Sequence, residues 1–220
     1  MTRMWRSTIF AMVFVTFAFT GTAVADSKAP VKFKDECHCV GCHAEYRWDV
    51  KTDDEDAPQS VSNNISPSDI GAWHGPGGIF TKDTARKGKE KKWYALTGRV
   101  TLVKQEPDGD LHIQLVDDGA QDDDVNVVVE VPFGEPWCDI RKEVFSWTSQ
   151  TFPFRTGGKK LTLQKHPVIT VTGKAFYDAI HGGADTSKNR RAVPNNAAST
   201  TKQVTIWEIH PVMKLDVTSE

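Results

Sequence analysis

Two β-rich runs, residues 94–103 and 111–116, flank Glu106, Pro107, Asp108, Gly109 and Asp110, and this pairing constrains the chain more than any other feature. Proline presets φ and glycine accepts a positive φ, so the intervening segment turns and the two runs pair as a hairpin. In the second run Leu111, Ile113 and Leu115 alternate with His112 and Gln114, the period of two of a half-buried strand. An acidic stretch, 117–124, leads into a third run at 125–131, which Pro132 ends. Residues 138–147 then place Ile140, Val144 and Trp147 on one helical stripe. Strands follow at 168–176 and at 204–217, the latter bent at Pro211, with a short accessory strand at 161–163.

Three strands, one helix and two strands is the order of an OB-fold. The expected class is therefore mainly β: an OB-like five-stranded Greek-key barrel with one helix between strands three and four. Ahead of it, residues 26–92 are rich in Asp, Ser, Asn, Pro and Gly and lack periodicity. They read as a loop-rich arm with one strand at 46–51, a helix start at Ser66 and Pro67, and a basic, solvated linker or helical turn over 82–92.

Arg3 and Arg6, an apolar stretch at 9–19 and the small residues of Ala23, Val24 and Ala25 have the form of an export signal. The apolar stretch is about half the roughly 20 residues a membrane span requires. The division expected is a signal peptide at 1–25, a Cys- and His-containing arm at 26–92 and the barrel domain at 93–220, secreted or periplasmic. No later segment reads as a membrane span. Removing Arg3 and Arg6 takes the net charge from −2 to near −4, so any anion-binding surface must be local.

Export also bears on the cysteines. Cys37, Cys39 and Cys42 cluster with His38 and His43, and Cys138 stands apart. Outside the cytosol such cysteines pair, and an oxidised Cys138 must find its partner in the cluster, which would tie the arm to the barrel. Cys39, Cys42 and His43 also have the C-x-x-C-H spacing of a covalent haem c, the basis of an electron-carrier alternative, and the cluster has the ligand types of a zinc or copper site.

The segments 94–98 (YALTG), 109–112 (GDLH), 172–178 (TGKAFYD) and 207–212 (WEIHPV) resemble a set of exported bacterial proteins of unassigned function. The resemblance covers residues 93–217. It implies an OB-like barrel and an extracytoplasmic location, and brings no reaction or substrate.

OB-folds bind ligands on the face of strands two and three, between the first hairpin loop and the loop joining the last two strands. Here that face offers His112 and Gln114, and the loop offers Lys188, Arg190 and Arg191. The leading expectation is a binding module for an anionic polymer, nucleic acid or glycan, with no catalytic residue assigned and no cofactor needed. A third reading is a metal-dependent hydrolase in which His112, His181 and His210, joined by Asp110 and Asp178, converge on one ion. No P-loop, dinucleotide fingerprint or nucleophile elbow is present.

Overall fold

A computed structural model describes residues 46–121, 124–154, 158–194 and 201–219, together with the backbone of two short stretches, β1 (Lys32–Phe33) and β2 (Cys39–Val40), which pair antiparallel. The export signal, Cys37, Cys42 and His43 lie outside the described residues, as does the side chain of Cys39.

The first described side chains belong to a segment expected to be loose, and it is not. In place of a strand at 46–51 stands a short helix, α1 (Trp48–Lys51), entered from Arg47 at φ 51°. Burial of the Arg47 guanidinium, rather than local β propensity, sets that conformation. It meets Glu90 through two bonds of 2.7 and 3.0 Å, and both side chains are fully buried. After β3 (Asn64–Ile65), Ser66 caps α2 (Pro67–Gly71) in a capping box with Asp69, as the sequence signal requires. Ile70 of this helix is fully buried in the core. The basic stretch 82–92 takes the helical-turn form at Gly88–Lys91 and is docked through Arg86 and Glu90, while most of its other residues are exposed. Arg86 donates to the carbonyls of Val50 at 2.6 Å, Ala175 at 2.8 Å and His210 at 2.9 Å, and Glu90 sits in a 3-10 turn, Gly88–Lys91.

The remaining elements are β4 (Trp93–Gln105), β5 (Leu111–Val116), β6 (Asn126–Val131), α3 (Cys138–Ser146), β7 (Lys159–Leu161), β8 (Val168–Tyr177), α4 (Ala179–Gly182), β9 (Arg190–Pro194) and β10 (Thr201–Ser219). Strands β4, β5, β6, β10 and β8 pair in that order, and β8 pairs back to β4, so the sheet closes in a ring. It is an eight-stranded sheet in all, since β3, β7 and β9 extend it, and the expected count of five is corrected accordingly. Closure depends on two long strands. Along one edge, β4 pairs first with β8 and then with β7, while its last residues pair with β5 on the other edge. In the same way β10, 19 residues long, pairs parallel with β6 and antiparallel with β9 and then β8.

Alternation decides what fills the ring. Leu111, Ile113, Leu115, Val127, Val129 and Val131 point inward and are fully buried, and α3 adds Val144 and Phe145. The intervening residues His112, Gln114 and Glu130 point outward, yet are only 7, 6 and 7% exposed. The expected half-buried strand is therefore covered on both faces, because Lys51 of the segment 46–92 reaches Glu130 and Lys202 of β10 reaches Gln114 over its outer side. Cys138, at the start of α3, is nearly buried and disulfide-bonded, with its partner outside the described residues.

Candidate functional site

The outer face of β5, β6 and β10 carries ionisable groups where a sheet ordinarily carries valine. His112 lies opposite Glu130 in the β5 and β6 register, and β10 brings Glu208 and His210 alongside. Taking polar groups out of water is favourable only when they bond to one another. They do so in a chain. Lys202 Nζ donates to Gln114 Oε1, the Gln114 amide lies 3.0 Å from His112 Nε2, and His112 Nδ1 lies 3.2 Å from Glu130 Oε1. With Nε2 accepting from the amide, Nδ1 carries the proton and donates to the carboxylate.

The second oxygen of Glu130 faces His210 Nδ1 at 3.0 Å and Lys51 Nζ at 3.8 Å. His210 is fully buried, and its Nε2 faces Asp110 Oδ2 at 3.5 Å. Neither ring nitrogen, nor Asp110 Oδ2, reaches hydrogen-bonding geometry. The other oxygen of Asp110 is satisfied by the backbone N–H of Phe133 at 3.2 Å.

Neighbouring charges separate the two buried glutamates. Burial pushes Glu130 up, but the bond from His112 and the nearby charges of His210 and Lys51 hold it well below the usual carboxylate range. Burial drives Glu208 well above that range, and the charges of Glu130 and Asp178 add to the effect. The surroundings thus set the two glutamates apart, favouring the protonated form of Glu208 and the ionised form of Glu130. Burial, together with Asp110, raises Asp108 to about 6. At the mouth, α4 starts at Asp178, whose carboxylate caps Ile180 N and accepts from His181 Nδ1. Burial would raise Asp178, but the His181 bond and charge keep it below its ordinary value.

These groups open into a cleft of about 400 Å3 whose lining includes Lys51, Lys104, Lys160, Arg191 and Lys202, alongside His112, Gln114, Glu130, Asp178 and His181. The Nε of Arg191 is buried without a hydrogen-bond partner.

Of the residues singled out from sequence, His112, Gln114 and Arg191 therefore meet at this cleft. Lys188 and Arg190 do not line it. Lys188 pairs with Asp185 at 3.2 Å, and Arg190 holds the Gly71 carbonyl at 2.9 and 3.1 Å, so the adjacent positions in β9 serve different ends. The three histidines are not one ligand set. His210 groups with Asp110 and Glu130, His181 groups with Asp178 and Glu208, and His112 belongs to neither cluster. Lys51, Glu130, Glu208 and Lys202 escaped the sequence reading. The usable signal was a carboxylate inside an apolar strand, Glu130 within Val127 to Val131 and Glu208 between Trp207 and Ile209, since such residues are rarely buried without a partner. Cys39, Cys42 and His43, the haem or metal candidates, fall outside the described side chains.

Comparison of the chain with protein-family models, with curated proteins and with solved structures returns no match.

Proposed function

We propose that the protein is a secreted or periplasmic OB-like module that holds an anionic ligand in the cleft over β5 and β6. One observation carries the reading: five cationic side chains from five separate elements meet in this one cleft of an acidic protein, where they outnumber the lining carboxylates Glu106, Asp108, Glu130 and Asp178. The ring order β4, β5, β6, β10, β8, with α3 between β6 and β8, supports the OB-like assignment, and the cleft occupies the position where such barrels bind ligands. The disulfide at Cys138 supports an oxidising compartment. No described helix is long and apolar enough to cross a membrane.

The ligand class is a phosphate- or carboxylate-bearing polymer, a nucleic acid or an acidic glycan, with Arg191 and Lys202 at its contact. The double variant Arg191→Glu and Lys202→Glu should weaken binding of a single-stranded oligonucleotide or a uronic-acid polysaccharide roughly tenfold or more, read by fluorescence anisotropy at fixed salt. Absence of binding by the unaltered protein to both probes would remove the reading.

A second reading, hydrolysis of the bound ligand, is favoured by the Asp178 and His181 pair. The carboxylate accepts from Nδ1, so Nε2 of the half-exposed imidazole is placed to take a proton from a water that bonds to phosphorus; the P–O bond to the leaving oxygen breaks, and the imidazolium returns the proton to that oxygen. His181→Ala should then abolish turnover of a phosphodiester probe while leaving its affinity within about threefold. Equal turnover in the variant excludes His181 as the base.

A further inference from the structure

Beneath the cleft lies a cluster that the binding reading does not use. Asp110, Glu130 and His210 each present one ligand atom, all within 4.8 Å of one another, and each residue is buried. Two of the three are left with unmet bonding capacity: Asp110 Oδ2 and both nitrogens of His210 have no hydrogen-bond partner, at 1 and 0% exposure. A buried polar atom without a partner is costly, and three in one spot point to an occupant. Charge points the same way. Asp108, Asp110, Glu130 and Glu208 surround the spot, against the cations Lys51 and Arg141. Even with Glu208 protonated, the carboxylates outnumber these two cations by one.

We propose that Asp110, Glu130 and His210 form a binding site for one divalent transition-metal ion, zinc or manganese. Two carboxylates and one imidazole suit these ions, and three protein ligands leave a coordination position open. The surroundings resemble the supporting shell of a metal centre. His112 donates to the Glu130 oxygen that faces away from His210, and the Phe133 N–H fixes the Asp110 oxygen that faces away from the ring. The second cluster, Asp178, His181 and Glu208, differs in that His181 Nδ1 is already satisfied by Asp178. The site bears on the cleft above it, since an ion here would supply positive charge where an anionic ligand otherwise meets Glu130.

The competing occupant is a proton, making His210 an imidazolium between two carboxylates. Calorimetric titration of chelator-dialysed protein with zinc or manganese alone distinguishes them. The expected result is one ion per chain, weakened roughly 100-fold or more in Asp110→Asn and His210→Gln, and unchanged within about threefold in His181→Ala. Should the buried variants fail to fold, cobalt added to the unaltered protein gives the visible bands of mixed oxygen and nitrogen ligation. No heat and no cobalt spectrum overturns the proposal in favour of the imidazolium, and loss of binding in His181→Ala overturns it in favour of the other cluster. Because the titration contains no anion, it stands or falls separately from oligonucleotide or polysaccharide binding. Adding inorganic phosphate to the cobalt form then reports whether the open position communicates with the cleft.

Discussion

Replacing Glu90 with alanine should destabilise the protein by about 3–5 kcal/mol, the range for removing one partner of a buried ion pair. The reason is the number of donors that converge on this one carboxylate. Arg47 contributes two bonds, the backbone N–H of Tyr177 a third at 3.0 Å, and the N–H of Lys87 a fourth at 3.1 Å. Without Glu90, the Arg47 guanidinium would stay between the rings of Phe80 and Phe176 with a charge that nothing balances. Its remaining bonds, to the carbonyls of Thr84 at 2.8 Å and Tyr177 at 3.3 Å, are too few to compensate a buried cation. For a urea slope of about 2 kcal/mol per molar, the unfolding midpoint should fall by about 1.5–2.5 M. The double variant Arg47→Met and Glu90→Leu should recover most of the loss, because an apolar pair of similar volume carries no desolvation cost. A midpoint within about 0.3 M of the unaltered protein for Glu90→Ala would show that the pair contributes no net stability.

The second large effect is expected at Trp207. It is 1% exposed and lies edge-on to Trp73 at 5.6 Å and to Tyr177 at 5.2 Å, while its Nε1 donates to the His74 carbonyl at 2.9 Å. It thus joins β10, β8 and the segment that follows α2. Trp207→Ala should cost about 3–5 kcal/mol, the sum of lost burial and the cavity left behind. Trp207→Phe keeps most of the volume but leaves the His74 carbonyl without its donor, at a cost of about 1–3 kcal/mol. The two variants should also differ locally, with the alanine form cut faster by protease within residues 74–88. Equal midpoints for alanine and phenylalanine would mean that the aromatic cluster does not hold this segment to the barrel.

Both predictions concern the segment 46–92, where sequence and structure part most clearly. Its residues have no hydrophobic period, so nothing local distinguishes a docked element from a loop. Arg47, Arg86 and Glu90 read as surface charges until the partners that bury them are known, and those partners lie as far as 130 positions away, as with Arg47 and Tyr177. By contrast, the α2 cap at Ser66 and the turn at Asp108 and Gly109 were readable, because each depends on residues within four positions of one another.

The candidate site divides in the same way. His112 and Gln114 could be placed on one side of β5 from alternation alone, and Arg191 could be singled out as a charge in a polar stretch. That Arg190 would instead hold the Gly71 carbonyl depended on the position of α2, which no pattern encodes. The carboxylates that make the site distinctive, Glu130 and Glu208, are isolated charges in apolar strands, and become a pair only when β10 lies parallel to β6.

By itself the sequence determined the order of the five main strands and of the helix between the third and the fourth, the turn chemistry and the inward face of β5, because these follow from backbone sterics and a period of two over short spans. Only the tertiary structure decided which strands close the ring, that part of segment 46–92 reaches over its outer face, and that two clusters of carboxylate and imidazole meet at a cleft lined by charges of both signs. Those outcomes rest on contacts between residues distant in the chain, where burial strengthens every charge interaction and leaves no solvent to absorb a mismatch.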